Sequence, residues 1–207
     1  MTVGPIESTT PYPWPYHGCL DPRRTAVVVA GAQVGWADRS LRAAEVAATI
    51  GRVARQVRAG SGLVVAVAHR GPEVGHPRGP RPPLPPVAGS PEAELVGLGL
   101  DADLVATCTG TSGFHGSHLD AELRHRGVEL VVMTGFGYEA AVESTLRAAN
   151  DRGYECLTLV DAVAPFDEHT GRHGLSSITM SGGIFGAIGT SDDLLAALAA
   201  PVAAAAP

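Results

Sequence analysis

Short apolar runs rich in β-branched residues alternate along the chain with longer segments in which apolar residues recur every three or four positions. The short runs are almost uninterrupted, as expected of strands that are buried on both faces of a parallel sheet. We predict six strands, over Thr25–Ala30, Leu63–Ala68, Leu104–Thr107, Leu130–Thr134, Cys156–Val160 and Gly183–Ile188. This alternation predicts an α/β fold, a three-layer αβα sandwich with a mainly parallel six-stranded sheet.

The segments between the strands have the period and the end residues of helices. Apolar residues recur at helical spacing through Ser40–Ala59, and Gly60 follows where a C-terminal cap is expected. Two further predicted helices, His118–Arg126 and Glu139–Arg152, also end before a glycine, the residue that best tolerates a left-handed cap. A last helix, Asp192–Ala199, begins with acidic residues, which favour a helix N-terminus.

The length of 207 residues fits one α/β domain, which we place at 25–199. We expect an N-terminal arm, 1–24, and a flexible alanine-rich tail, 200–207. Eight prolines between Arg70 and Pro91 exclude a regular helix or central strand there, so this segment, loop 70–91, is predicted to be extended. Its position after the second strand favours a lid or pocket wall, and a linker or an oligomer arm is an equal alternative.

Charge and cysteine content narrow the partners and the compartment. Lys and Arg number 15 and Asp and Glu 21, a formal net charge of −6, and the arginines form no stripe. We therefore expect neither nucleic acid nor membrane as a partner. No apolar run suits a membrane span, and the N-terminus lacks the features of a signal peptide. The three cysteines have no C-x-x-C or zinc-type spacing, which favours a reduced, cytoplasmic compartment.

The glycines that follow the first predicted strand do not form a nucleotide-binding motif. The run from Gly31 to Gly35 lacks the middle glycine of the dinucleotide-binding fingerprint, and no acidic residue follows at the required spacing. The sequence also has no phosphate-binding Gly-x-x-x-x-Gly-Lys loop and no Gly-x-Ser-x-Gly nucleophile elbow. We therefore predict no cofactor and no serine hydrolase.

Blocks of sequence at the predicted strand ends carry a family resemblance. They are Tyr12-Pro-Trp-Pro-Tyr16 with Thr25-Ala-Val-Val-Val-Ala-Gly-Ala-Gln33, the segment from Asp103 to Asp120, Thr134-Gly-Phe-Gly-Tyr-Glu-Ala-Ala-Val-Glu-Ser-Thr145, and Gly182-Gly-Ile-Phe-Gly186. Together they resemble the isochorismatase-like cysteine hydrolases, in particular the biuret and ureidoacrylate amidohydrolases. The resemblance runs from Tyr12 to Leu198, with loop 70–91 as its main departure, and it implies the isochorismatase-like hydrolase fold.

The resemblance also implies a catalytic triad of Asp, Lys and Cys, whose thiolate attacks a carbonyl carbon. It places those positions at Gly31, Cys108 and Ala141, and Phe114 keeps the spacing of a Phe that follows the family's Lys. Glycine cannot move a proton, and an alanine methyl cannot be a nucleophile. Because loss of a triad nucleophile lowers turnover about a million-fold, we expect negligible amidase activity of the inherited kind.

Small residues at these positions predict a larger and more apolar cavity, which suits a small organic ligand. Four aromatic residues lie in the loops expected to face this cavity: Trp36, Phe114, Phe136 and Tyr138. Each of them alone is typical of core or rim packing. Only their shared placement at strand ends favours a pocket wall that binds substrate.

Three residues are candidates for chemistry in this crevice. His69 ends the second predicted strand, where a neutral imidazole is a suitable base, and a hydrogen-bonded structural histidine is an equal alternative. Glu139 is a candidate acid or base if apolar neighbours raise its pKa, or else a first-turn acid favoured by the helix dipole. Cys108 is a candidate relocated nucleophile, although no cationic neighbour in its strand lowers its pKa, which favours an inert buried thiol.

We predict no metal. Relatives in the nicotinamidase branch, as the resemblance implies, bind a metal through an Asp and two His near the first two strands. Here the first-strand acid is absent, and only His69 and His76 remain near the second. Other histidines are dispersed over predicted loops and helices, at His17, His115, His118, His169 and His173.

Three functions follow, in this order of preference. The first is a repurposed enzyme of specialised metabolism. It would catalyse the cyclisation, isomerisation or elimination of a small molecule through the shape of its pocket and acid-base help, which needs no covalent nucleophile. The second is a non-catalytic pseudoenzyme, acting as an oligomer partner or a ligand-binding protein. The third is a hydrolase that uses Cys108 as a relocated nucleophile. We expect a small-molecule ligand or substrate and a homo-oligomer, a dimer or tetramer.

Overall fold

A single sheet organises the chain, and the computed structural model describes residues 3–71, 86, 89–97 and 101–199. Its six strands lie in the order β3-β2-β1-β4-β5-β6, and every pairing between them is parallel. The strands are β1 (Thr25–Ala30), β2 (Leu63–Arg70), β3 (Leu104–Thr109), β4 (Leu130–Phe136), β5 (Glu155–Ala164) and β6 (Ala187–Gly189). The predicted α/β sandwich is confirmed, and its described sheet is wholly rather than mainly parallel.

Helices flank this sheet. They are α1 (Val34–Ala37), α2 (Ala43–Ala59), α3 (Leu119–His125), α4 (Glu143–Asp151), α5 (Glu168–Thr179) and α6 (Ser191–Ala199). A π-turn, Tyr138–Val142, precedes α4, and short 3-10 turns lie at Pro22–Arg24, Pro91–Ala93 and Met180–Gly182. Helix α2 packs along β1, β2, β4 and β5 and against α6, so it covers the centre of one face. Among the described residues no helix is long and apolar enough to cross a membrane.

The observed elements differ from the predicted ones at their ends. Strands β2, β3, β4 and β5 run beyond their predicted ends, which places His69 and Cys108 inside strands. Strand β6 begins at Ala187, not at Gly183, because Gly183 and Gly186 have φ values of +88° and +103°, outside the extended range. The predicted helix Glu139–Arg152 is divided into the π-turn and α4.

The N-terminal arm packs against the domain. Antiparallel bridges join Val3 to Leu20 and Ile6 to Trp14 within the arm, and Thr10 pairs with Ile188 of β6. The side chains of Trp14 and Leu20 are fully buried. The arm therefore contributes to the core beside the last strand of the sheet. The predicted tail lies outside the described residues.

The backbones of β1 and β4 approach each other closely near their carboxyl ends. Gly135 pairs with Ala30 and has a φ of +131°. A Cβ built on Gly135 would overlap the backbone oxygen and nitrogen of Ala30. Only glycine fits a contact of this kind, because it has no Cβ and accepts a positive φ.

Gly135→Ala is expected to destabilise the fold more than a matched substitution, Gly153→Ala. Both glycines have a positive φ, but nothing lies within 4 Å of a Cβ built on Gly153. Gly153→Ala should therefore cost only the left-handed backbone, about 1–2 kcal/mol. Gly135→Ala should add overpacking of about 1–3 kcal/mol. Urea denaturation measures both, and equal losses would contradict the close approach of β1 and β4.

Candidate functional site

The candidate site lies at the carboxyl ends of the central strands, where the strand order reverses between β1 and β4. In open α/β sheets a ligand crevice forms at such a point. Gly31 directly follows β1, and Ala141 lies in the π-turn after β4. His69 and Cys108 are register partners near the ends of β2 and β3. The fold thus brings these four residues to one end of the sheet.

Gly31 and Ala141 are in contact. Gly31 has a φ of +63°, and a Cβ built on it would lie 3.3 Å from Cβ of Ala141 and 2.5 Å from the backbone oxygen of Phe136. Ala141 is fully buried. A side chain at position 31 would therefore require a strained left-handed backbone and a shift of the end of β4. The observed backbone does not accommodate an acidic residue there.

The indole of Trp36 fills the space beside Gly31. Trp36 comes from α1 and has no exposed surface. Its ring stacks on Phe166, with centroids 5.8 Å apart, and meets His69 edge-on at 5.4 Å. A Cβ built on Gly31 would lie 3.2 Å from Cγ of Trp36, and one built on Gly137 would overlap the six-membered part of the indole. Among the described residues, the ring of Trp36 therefore occupies the space beside Gly31 where a larger cavity is expected.

Hydrogen bonds fix His69 and define its tautomer. Its backbone N–H donates to Oε1 of Gln33 at 2.7 Å, and its Nδ1 lies 3.2 Å from the backbone oxygen of Gly110 and 3.3 Å from Sγ of Cys108. Because a carbonyl oxygen only accepts, we assign the proton of the neutral ring to Nδ1. His69 Nε2 and the indole Nε1 of Trp36 are both buried, without a hydrogen-bond partner among the described residues.

Burial keeps both His69 and Cys108 neutral near pH 7. Desolvation lowers the pKa of His69 to about 4, and the hydrogen bond to Gly110 opposes this shift. Desolvation raises the pKa of the Cys108 thiol to about 12. Cysteine is a nucleophile as the thiolate, usually beside a positive charge. Near pH 7 the pair therefore consists of a neutral imidazole and a protonated thiol.

Glu139 is committed to hydrogen bonds with the segment that leads into α5. Its Oε1 accepts from the backbone N–H groups of Phe166 and Asp167 and from the hydroxyl of Thr170, each at 3.0 Å. Its Oε2 also accepts from Phe166 N–H, at 2.9 Å. The carboxylate therefore ties the π-turn to the turn after β5. These hydrogen bonds favour the structural alternative for Glu139, and its candidacy as an acid or base stays a prediction.

The other predicted aromatic residues do not form a common wall. Phe114 packs on the ring of Tyr154 at 6.0 Å and lies under the guanidinium of Arg152 at 4.8 Å. Phe136 is fully buried, with its backbone oxygen beside Gly31. Tyr138 is also fully buried, and burial raises the pKa of its hydroxyl. It lines, together with α5, a separate cavity of about 230 Å³.

Gln33 connects the site to the residues that follow loop 70–91, a role that the sequence analysis missed. Its Nε2 donates to the backbone oxygen of Ala93 at 3.0 Å, and its backbone pairs with Leu95. The N–H of Val34 donates to the backbone oxygen of Glu94 at 2.9 Å. We call residues 91–96 the covering segment, because they lie over the end of β1. Residues 72–85 and 87–88 of the loop are outside the described ranges.

A signal for Gln33 was present in the sequence, since it follows the first strand inside a quoted family block. Phe166 offered no such signal, because its contact with Trp36 depends on a turn between β5 and an unpredicted helix, α5.

Metal ligands are not gathered in the described part of the chain. No group of three or more His, Cys, Asp or Glu side chains there has a metal-binding arrangement. His76 lies outside the described residues. His169 and His173 face each other one turn apart on α5, with their Nε2 atoms 3.3 Å apart, and they are a pair only.

The sheet order and the strand-end site define an open, doubly wound α/β protein whose strand order reverses between β1 and β4. The isochorismatase domain matches residues 25–193. This chain therefore belongs to the isochorismatase family.

Solved structures with the same fold include other family members. An isochorismatase family protein from Burkholderia thailandensis has a TM-score of 0.72 and 28% identity, over 86% of this chain and 97% of its own. A cysteine hydrolase from Pseudomonas syringae pv. phaseolicola has a TM-score of 0.73 and 22% identity, over 86% and 94% of the two chains. The second likeness concerns the fold alone.

Sequence matches to named relatives cover shorter segments. An uncharacterized isochorismatase family protein of Bacillus subtilis is 35% identical over 68 residues, which are 33% of this chain and 36% of the relative. A ureidoacrylate amidohydrolase of Variovorax paradoxus is 45% identical over 60 residues, which are 29% of this chain and 24% of that enzyme. Each match therefore spans well under half of the relative.

The stability of the protein is expected to fall as the pH drops below about 6.5, because of His69. In that range the unfolded chain binds a proton that the buried imidazole, with its pKa of about 4, does not bind. The contribution of His69 to the free energy of unfolding should therefore decrease down to about pH 4 and then level off, with a loss of about 3 kcal/mol. Urea denaturation at several pH values across this window measures the loss.

His69→Phe is the matched variant for this measurement. It keeps an aromatic ring against Trp36 but does not titrate, so its slope reports the other ionisable groups. The pH dependence of the original protein should be the steeper of the two. Equal slopes would show that His69 is not held neutral by burial.

Proposed function

We propose that this chain is a non-hydrolytic member of the isochorismatase family, a pseudoenzyme that binds a ligand or partner instead of splitting an amide. The observation that carries the proposal is the packing of Trp36 beside Gly31, which is itself in contact with Ala141. By the family resemblance, these positions and Cys108 are where the catalytic triad would lie. To hydrolyse an amide, the site would need both the reactive groups and open space for the substrate beside them. The indole of Trp36 occupies that space.

The electrostatics of the cluster support the proposal. An amide hydrolase stabilises a developing oxyanion with donors or positive charge that are already in place. The residues in contact here are glycine, alanine, tryptophan, a neutral imidazole and a neutral thiol. None of these side chains carries a charge near pH 7, given a pKa of about 4 for His69 and about 12 for Cys108. Among the described residues of this cluster, none supplies a thiolate or a cation.

The tautomer of His69 argues against a relocated nucleophile at Cys108. A base that activates a thiol must offer it a bare ring nitrogen. The nitrogen nearest to the sulfur is Nδ1, which we assign as protonated because it also faces the carbonyl oxygen of Gly110. On this assignment Nδ1 donates its proton to the oxygen of Gly110 and cannot accept the proton of Cys108.

A second candidate function, acid-base catalysis without a covalent step, is favoured by one specific observation. The acceptor Nε2 of His69 and the donor Nε1 of Trp36 are both buried and have no hydrogen-bond partner in the described part of the chain, and their rings are in contact with each other. A substrate between them would find a base and a hydrogen-bond donor for an oxygen. Entry would require α1 and the covering segment to open, as lids do in many enzymes.

Native protein treated with iodoacetamide near neutral pH is expected to react at Cys19 and not at Cys108. Cys19 is partly exposed, whereas Cys108 and Cys156 are buried, and burial raises the pKa of both buried thiols. Peptide mass spectrometry measures the labelling at each site, with Cys156 as the matched buried control. If Cys108 were labelled as fast as Cys19 while Cys156 stayed protected, the result would favour the hypothesis that Cys108 is a relocated nucleophile.

The protein is also expected to hydrolyse none of ureidoacrylate, biuret and nicotinamide above the buffer rate.

For wider chemistry, purified protein is incubated with a small-molecule extract, and metabolites are followed by mass spectrometry. A pseudoenzyme should retain at most one equivalent of any compound. Depletion of many equivalents, lost in His69→Gln and reduced in Trp36→Phe while both variants stay folded, would favour the second candidate instead.

A further inference from the structure

A cavity of about 390 Å³ lies at the start of β5, at the end of the sheet opposite to the strand-end site. It is bounded by the N-terminal arm, the end of α4, the start of β5 and the glycine turn before β6. We propose that this cavity binds a small organic cation, a quaternary or protonated amine, between the rings of Tyr12 and Tyr16 and the carboxylate of Glu155. This inference stands independently of the proposed function.

Tyr12 and Tyr16 form an aromatic corner on the wall of the cavity. Their ring centroids are 5.5 Å apart, and the rings are nearly perpendicular, at 87°. Tyr16 is 79% exposed, so packing against the core does not explain the position of its ring. Tyr12 is half-buried, and a Cβ built on Gly183 would lie 2.8 Å from its ring. Faces of aromatic rings placed in this way attract ammonium groups.

Glu155 supplies a carboxylate that forms no ion pair with a described residue. Its carboxylate accepts a hydrogen bond from the backbone N–H of Tyr16, which holds it beside the aromatic corner. It makes no ion pair with a described residue, and none of the residues that line the cavity is Lys, Arg or His. Burial raises the pKa of Glu155, and the nearby positive charge of His17 lowers it. A cation in the cavity would offset the cost of burying this carboxylate.

The glycine turn and the end of α4 leave room for an alkylated ammonium group. Gly153 and Gly182 line the cavity, and nothing lies within 4 Å of a Cβ built on either of them. The volume falls in the range of small-molecule sites. A single carboxylate provides too few oxygen ligands for a calcium or magnesium ion. The cavity is therefore better matched to a bulky organic cation than to a metal.

Isothermal titration calorimetry with choline tests the proposal. Choline is expected to bind with a Kd of about 1 mM or tighter. Its uncharged carbon isostere, dimethylbutanol, should bind at least about tenfold more weakly, because it has the same shape without the charge. Amide NMR should show shifts at Gly153 and Gly182 on addition of choline.

Three variants complete the test. Glu155→Gln keeps the acceptor for Tyr16 N–H but loses the charge, and it should weaken choline binding about tenfold or more. Tyr16→Leu, at an exposed position that does not endanger the fold, should weaken it about fivefold. Glu168→Gln removes the same charge at the other cavity, which Glu168 lines, and should leave binding unchanged.

Any of several results would overturn the proposal. No binding at about 10 mM choline would do so, as would equal affinity for the uncharged isostere. Equal affinities of Glu155→Gln and Glu168→Gln would remove the carboxylate from the site. Shifts confined to residues away from Gly153 and Gly182 would place the cation elsewhere.

Discussion

Close contact between the backbones at the carboxyl ends of β1 and β4 underlies the whole strand-end site. Gly135 lies against Ala30 so closely that a Cβ cannot be added, and Gly31 lies against Phe136 in the same way. Because both positions lack side chains, the two strands and the turns after them converge. That convergence brings Gly31 to Ala141 and leaves beside them a flat space, which the ring of Trp36 occupies.

Most of the fold was predictable because its strands are buried on both faces, which makes their sequences nearly all apolar. Helix α2 was predictable from its period and its terminal glycine. Helix α5 was not, because Gly171, Gly174 and two histidines interrupt any apolar stripe. The start of β6 was misplaced for a related reason, since a sequence pattern does not reveal that Gly183 and Gly186 adopt left-handed angles.

The place of the candidate site was also predictable, because parallel strands bring Gly31, His69 and Cys108 to the same end of the sheet. The side chains that fill that end of the sheet could not be predicted. Whether Trp36 lines a cavity or fills it depends on the stacking partner Phe166, which comes from a distant turn. The role of Glu139 likewise depends on three hydrogen-bond donors, on Phe166, Asp167 and Thr170, which no local sequence pattern predicts. Sequence located the residues, and tertiary packing determined their roles.

The left-handed conformation of Gly31 bears on the history of such a protein. In a chain descended from a hydrolase, an acid returned to position 31 by one mutation would meet the oxygen of Phe136 and the ring of Trp36. A cysteine returned to position 141 would enter a space that is already packed. Each step back is thus disfavoured until several neighbours change together. The packing therefore resists a change at either position alone.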